Sequence, residues 1–581
     1  MKINQGPQHP AAAQAGSALA LTLIMTGIAL AILASAMTWS ANSTRQTYRA
    51  IQYDRSVAAA EAATEKVVTR MTRDFLTGGE KLVIDNLDNY RAAVPTTSDS
   101  SYWGQWEFND AIGHTEMSYV LGANTNSYVV LSAPYAGLRA FVTTYTVASH
   151  ARDTASIQQV VGGVAQQMEL ARIPIFQFAL FSSGDMETCC SEPYTQKGRV
   201  HSNGKLYAGP DSILTFQGDV TAVSDILFDR HPLDPRGNPS GSVVYQAKKT
   251  FPVPPMNLPI GVTNTPQAIR EIIHPPPTGE DPNSPLGRLR FYNQVDMILT
   301  VSNSGITATS GRFDNYATVV PSNQLATIVT TNKSFTDKRE GKVVIPIEIN
   351  VAALKAWSAT NSNLRVALGS KDVSSLYVLD RRTLPGTNLA AVRVVNGTNL
   401  PSRGLTIATA RPLYVLGHYN QPNPAHLGSS NTSATLPAAL VSDAITVLSV
   451  NWADTNSAKA SSSRKGAATT VNAAILTGDV PTTAAAFSGG MENFMRFLED
   501  WSPSTTAAPL HYNGSLVKMF PSLYATNVWG KSDVYSPPKR EYTYDLNFNS
   551  GTKLPPLTPS LQTVFRGRWA TVAANQNTTT P

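Results

Sequence analysis

Between Ile3 and Thr44 the chain carries no Lys, Arg, Asp or Glu. Inside that stretch Ser17–Trp39 reads SALALTLIMTGIALAILASAMTW, long enough as a helix to cross a hydrocarbon core about 30 Å thick. Ser17, Thr22, Thr26, Ser35 and Thr38 interrupt it, but such hydroxyls bond back into a helix and tolerate lipid. Trp39 falls where an interfacial aromatic is expected. The pattern predicts a membrane insertion element. The next stretch, Asn42–Phe75, lacks Pro and Gly and places Ile51, Val57, Val67, Val68, Met71 and Phe75 at nearly helical spacing. The membrane helix is therefore expected to continue as an amphipathic stalk. Leu76-Thr77-Gly78-Gly79 should end it, and Glu80–Val94 reads as a short second helix closed by Pro95.

Beyond the stalk the period changes. Thr96–Asp110 reads as a loop with Tyr102, Trp103, Trp106 and Phe108, and Met117–Ser149 as strands of a small sheet. Leu170–Phe181 reads as one buried strand leading into Gly198–Asp219, a succession of short strands punctuated by Gly, Asn and Asp. The turn His201-Ser202-Asn203-Gly204 is echoed by His418-Tyr419-Asn420 and His511-Tyr512-Asn513-Gly514. Leu206-Tyr207-Ala208-Gly209 is echoed by Leu413-Tyr414-Val415-Leu416-Gly417. Short strands with recurring turn chemistry predict coils of a parallel β-helix, with Asn stacking as a ladder; an antiparallel sandwich that reuses Asn-Gly turns is the alternative.

The expected fold class is α+β, mainly β. The expected division is a leader (1–16), a transmembrane helix and stalk (17–78), a small α+β domain (79–180) and first β-helix coils (181–250). An α+β insertion (251–400), later coils (401–530) and a Pro/Tyr-rich tail (531–581) follow, with Asn575–Pro581 disordered. The insertion opens with Pro-rich loops and carries strands near Val295–Val301, Gly341–Ile349, Ser375–Leu379 and Ala390–Val395, and a helix near Val351–Ala359. On this reading Phe251–Leu400 could be excised and the coils would still stack.

Composition narrows the class. Charged residues are 15% of 581, against roughly 25% in an average soluble protein, and Thr, Ser, Asn, Ala and Val take their place, as in exported β-rich material. The net charge is +6, but the cations are scattered, without the basic stripe that nucleic-acid binding requires. Cys189 and Cys190 are the only cysteines and are adjacent. Their Cα atoms lie about 3.8 Å apart, short of the usual disulfide span, so free thiols and a strained vicinal disulfide stand as the two readings.

Chemistry is sparse. Gly530-Lys531-Ser532 lacks the earlier Gly of a phosphate loop, since Ala525 occupies that place. No G-x-S-x-G, H-E-x-x-H or G-x-G-x-x-G occurs. His201, His418 and His511 read as polar turn residues. Asp185, Glu187, Asp219 and Asp225 are the best carboxylate candidates for a lyase-like site, but they show no tight grouping. No enzyme activity, cofactor or metal site is expected.

Gly16-Ser17-Ala18-Leu19 after a polar leader, and Ala59-Ala60-Glu61-Ala62 in the stalk, resemble the corresponding segments of type IV pilin-like proteins of the PilX and K-type pseudopilin kind. The resemblance extends over most of the chain through segments such as IPIFQFALF, GRVHSNG, DAITVLSVNW and YNGSLV. It implies cleavage by a prepilin peptidase after Gly16, leaving Ser17 as the mature N-terminus. It also implies other pilin-like subunits and membrane lipid as partners. Major pilins of the family carry Glu at the fifth mature position; here that place is Leu21, which suits a first or tip subunit, or a protein outside any filament. The implied function is a membrane-anchored structural or adhesive protein of a type IV pilus or secretion pseudopilus. It would cross the bacterial inner membrane once, with its body in the periplasm or at the cell surface. The alternative is an anchored surface protein that binds or cleaves polysaccharide. Lys2 before the span against Arg45, Arg49 and Arg55 after it argues for the opposite orientation, but long domains translocate largely regardless of charge. A secretory signal cut after Ala36, in Ala34-Ser35-Ala36, is a competing reading of the same stretch.

These readings predict different mature ends. Mass spectrometry of the purified protein should show Ser17 first; Met37 first would establish a secretory signal, and an intact Met1 a plain anchor.

Overall fold

The computed structural model describes residues 15–122, 127–132, 135–309, 319–320, 322–502 and 506–578. The chain is α+β, mainly β, with one long N-terminal helix. Residues 1–14 of the expected leader lie outside the described residues.

The helix runs Ala15–Asp85 and breaks its helical dihedrals at Gly79, whose φ of 74° is left-handed. The expected stop at Gly78-Gly79 is thus a kink followed by a last helical turn, and the second helix shrinks to Leu87–Arg91. From Ser17 to Arg55 the helix is almost entirely exposed. From Ser56 onward one stripe is buried: Ser56, Ala59, Ala60, Ala63, Thr64, Val67, Val68, Met71 and Phe75. That alternation of three- and four-residue steps is the periodicity of one helix face. Ile51 is exposed and Val57 only half-buried, so the stripe starts later than its large apolar residues imply. Small residues lead it because the helix backbone comes very close to the sheet beneath.

That sheet is antiparallel. Trp106–Asn109, Tyr119–Gly122 and Ser127–Val130 lie end to end along one edge of Arg139–Asp153, which pairs with Val161–Pro174, which pairs with Ser560–Val572. The stretch 531–581 is therefore no tail. It also supplies Lys539–Tyr544 to a second sheet. Likewise Leu170–Phe181 is not one strand: it ends at Pro174, turns through Ile175–Gln177, and restarts at Leu180–Ser182 in that second sheet. Proline supplies no N–H to continue a ladder.

Most of the remaining strands stack in parallel. Met186–Thr188, Leu206–Ala208 and Ile226–Leu227 pair in steps of 20 residues (Met186, Leu206, Ile226). Tyr194–Gln196, Ile213–Phe216 and Ser242–Tyr245 form a second stack. Leu180–Ser182, Val200–Ser202, Val220–Ala222 and Lys249–Thr250 form a third. The third stack continues through Pro509–Pro521, Thr469–Asp479, Ala438–Val441, Leu405–Ala408 and Ser375–Asp380 to Met297–Ser302. Facing it, Lys342–Asn350, Leu389–Val395, Leu413–Leu416 and Ile445–Leu448 make another parallel sheet.

The strands expected near 295–301, 341–349, 375–379 and 390–395 are all present, but they are not a guest domain. Each lies in one of these two sheets, so excising 251–400 would strip one neighbouring strand from Leu405–Ala408 and one from Leu413–Leu416. After Lys249–Thr250 the chain runs back along the outside of the long sheet. Val253 N–H donates to the Ala222 carbonyl (3.1 Å), and Met256 N–H to Asn203 Oδ1 (3.0 Å). It then restarts at Met297 at the far end. The long sheet is apolar on both faces. One face packs inward with Leu405, Ile407, Leu440 and Ile475. The other carries Ala439, Val441, Leu476 and Val517 under Leu258, Ile269 and Ile272 of the returning strap. Burial on both faces explains the near-continuous apolar runs of its strands.

The strap also caps the stalk. Gly261 N–H donates to the Thr77 carbonyl (2.7 Å) and an Arg288 guanidinium N–H to the Gly78 carbonyl (2.8 Å), satisfying acceptors that a helix C-terminus otherwise leaves open. At the other end of the contact, a Cβ on Gly162 would lie 2.4 Å from the Val57 nitrogen and 2.7 Å from the Ser56 carbonyl carbon. Gly162→Ala should therefore cost about 1–3 kcal/mol in denaturant unfolding. Gly184→Ala, where a Cβ meets nothing within 4 Å, should change stability by no more than about 0.5 kcal/mol.

Candidate functional site

Two surfaces stand apart from the packed body. The first is the exposed half of the helix. Its most apolar window has a mean hydropathy of 2.3 and none of it is buried, and it is long and apolar enough to cross a membrane. Its hydroxyls are turned inward on the helix: Thr22, Thr26, Ser35 and Thr38 donate to the carbonyls of Ala18, Thr22, Ala31 and Ala34 at 2.6–2.9 Å. The outer surface is thus apolar from Ala18 to Trp39. The Gly16–Ser17 bond falls in the helix's first turn.

The second is a cleft of about 670 Å³ where the early and late parts of the chain meet. One wall is Tyr194–Gln196 with Lys197 and Gln217; the other is formed by Pro509–Pro521 and Lys539–Tyr544. The loop Gly428-Ser429-Ser430 closes one side. It is held by Gly428 N–H donating to Thr470 Oγ1 (3.0 Å) and by Asn513 Nδ2 donating to the Ser429 carbonyl (3.0 Å). Its floor is buried: Tyr194, Glu492, Asn513 and Tyr542. Tyr542 stands edge-on to Tyr194 and Tyr512, with ring centroids 6.3 and 5.7 Å apart. Burial pushes the Glu492 carboxyl up to about 7. Its oxygens accept the Cys189 N–H at 3.2 and 3.4 Å.

The histidine echoes separate. His418 and His511 stand beside neighbouring parallel strands: His418 Nδ1 accepts the Thr470 N–H (3.1 Å), and Thr470 is the register partner of His511. The asparagines that follow them form the expected ladder. Asn420 and Asn472 exchange side-chain-to-carbonyl bonds at 2.9 and 3.0 Å, and Asn513 Nδ2 donates to Asn472 Oδ1 (2.7 Å). Asn472 was not among the echoes because Val471-Asn472 lacks their histidine. His201 lies elsewhere, stacked on Phe181 (5.4 Å) and bonded to Thr221 and Asn203. Burial lowers its pKa to about 4, so it stays neutral.

The four candidate carboxylates are each engaged separately. Asp185 accepts the Lys205 N–H (2.7 Å), and Glu187 is buried against Thr482 (2.8 Å). Asp219 pairs with Arg199 (2.7 Å) and Asp225 with Lys205 (3.4 Å). No acid/base pair arises among them, and the described residues hold no group of three or more His, Cys, Asp or Glu arranged for a metal. Cys189 and Cys190 are free and buried, and burial raises both thiols, that of Cys190 to about 12. The sequence reading missed the cleft. Its wall residues are 300 positions apart, and only the His511 echo pointed there.

No family model and no curated protein matches the chain. Among solved structures, it is similar to the competence-associated pilin ComZ from Thermus thermophilus, at 12% identity and a TM-score of 0.30, covering 90% of this chain and 97% of that one.

Glu492 should tie stability to pH. Its folded pKa, about 7, lies above the ordinary carboxyl value of 4.5, so between those values the folded state holds a proton that the unfolded state has lost. Stability must fall as pH rises through this window and level off above it. Glu492→Gln keeps an acceptor for Cys189 N–H without the buried charge. It should add on the order of 2 kcal/mol of stability at pH 8, seen as a higher melting temperature there, and leave the melting temperature unchanged at pH 4.

Proposed function

We propose that this chain is a membrane-anchored, pilin-like subunit of a type IV pilus or related secretion pseudopilus, structural or adhesive in role. Its body is read as a parallel β-helix held outside the inner membrane of a bacterium. The observation that carries the proposal is the division of one continuous helix. Ala18–Trp39 presents apolar surface on every side and touches no part of the body, while Ser56–Phe75 is docked by one face onto the sheet. A helix that is apolar all round needs lipid or other apolar helices as its surroundings. The parallel stacks with 20-residue steps support the β-helix reading of the body.

Processing at Gly16–Ser17 by a prepilin peptidase follows from the motif resemblance. The mature chain would then place Leu21 where a major pilin carries Glu. That suits a minor subunit at the tip, with no subunit ahead of it whose amine must be neutralised. No catalytic role is assigned.

The full chain should pellet with membranes through alkaline carbonate and be released by detergent, whereas 42–581 should remain soluble. A photo-crosslinking residue at Leu23 or Leu30 should capture pilin-like helices in cells that assemble pili. Adducts with lipid alone would reduce the protein to a plain anchor; a carbonate-soluble full chain would overturn the reading.

A further inference from the structure

We infer that the cleft between Tyr194–Gln196 and Lys539–Tyr544 binds a neutral oligosaccharide. The inference rests on the adhesive half of the reading above and gives it a site.

Three observations point to this ligand class. First, the cleft holds unused hydrogen-bonding capacity of both kinds. Among the described residues, the side chains of Glu192, Thr195, Lys197, Gln217, Ser430 and His511 line it without a hydrogen bond to the protein. Asn513, by contrast, is spent on Ser429, Asn472 and Thr543, so it holds the wall rather than a ligand. A polyhydroxyl ligand, with hydroxyls that both donate and accept, matches such a mixture.

Second, the cleft holds no cluster of free cations among the described residues. Lys539 pairs with Glu541 at 2.5 Å, and Arg540 is committed to the Glu492 carbonyl (2.8 Å) and to Asn493. Lys197 alone among these lining cations is left uncommitted, and Glu192 lines the same cleft uncommitted as well. An anion site would show several uncommitted cations. Third, the buried floor offers tyrosine rings, Tyr194 and Tyr542, beneath a polar, exposed rim. Aromatic rings with polar ends suit the apolar C–H faces of sugar rings. The volume, about 670 Å³, is that of a ligand pocket rather than a solvent nick.

The position adds a consequence. The walls come from residues 192–217 and 511–543, which touch through the rings of Tyr194 and Tyr542, so a ligand bound across them should hold the two parts together and raise the unfolding temperature.

The test uses the detergent-solubilised full chain against a panel of immobilised neutral gluco-, galacto- and N-acetylgluco-oligosaccharides of four to six units. Saturable binding to at least one is expected, unchanged between 50 and 500 mM salt and accompanied by a rise in melting temperature. Gln217→Ala and His511→Ala should each weaken it about tenfold. Gln217 is exposed, so its variant should melt like the parent and separates lost binding from lost folding. Binding by none of the neutral glycans, binding only to sulfated or uronate polymers with steep salt dependence, or binding untouched by both variants would each overturn the inference. None of these results alters the carbonate-extraction and crosslinking outcomes on which the anchor depends.

Discussion

The strand Pro509–Pro521 joins the two ends of the parallel body. One edge pairs along its whole length with Thr469–Asp479. The other edge is divided: Pro509–Gly514 pairs with Lys539–Tyr544, and Leu516–Lys518 with Leu180–Ser182. Without it, the parallel stack begun at Leu180 and the one built up from Met297 would each end in an open edge. Backbone donors and acceptors on a sheet edge are satisfied only by another strand, by water or by a cover. Side chains reinforce the join, with Ser515 Oγ donating to the Phe178 carbonyl (2.5 Å) and Ser183 Oγ to the Met519 carbonyl (2.6 Å).

Register along this join is fixed by polar groups that have no alternative partner once buried. The ladder of Asn420, Asn472 and Asn513 would lose every bond on a one-residue slip, and an unsatisfied buried amide costs about 1–3 kcal/mol. Buried charge acts in the same way on the crossing loops. Asp443 accepts the backbone N–H groups of Leu523, Tyr524 and Ala525 (2.5–3.1 Å), and Arg496 holds the Ala525 carbonyl (2.8 Å) while pairing with Glu340. The cleft is a by-product of that ordered meeting, where loop 428–430 and two sheets converge without filling the space.

The N-terminal helix obeys a different constraint. Its docked half brings the Ser56–Val57 backbone onto Gly162 and buries Ala59, Ala60 and Ala63 with Trp106, Phe108, Ala151 and Val164, and the strap closes its C-terminal carbonyls. Its other half receives nothing from the body. The rigid connection between them places any load on the apolar half directly onto the sheet.

The local features were legible because they are local. The uncharged span, the stalk's periodicity, the Gly79 break and the strands of 295–395 all follow from neighbouring residues and their preferences. The pairings were not legible. The 20-residue step from Met186 to Leu206 to Ile226 is written in small hydrophobic residues that many strands share. The Pro-rich strap disguised the stretch after Phe251 as a separate unit, although its strands lie in the same sheets. Parallel strands find their partners through backbone groups that every residue carries, so the sequence marked many of the strand segments, while only the closed tertiary structure decided which edges meet and drew Lys539–Tyr544 and Ser560–Val572 into sheets. The same holds for the cleft: Gln217 and His511 are ordinary polar residues until Pro509–Pro521 brings their strands together.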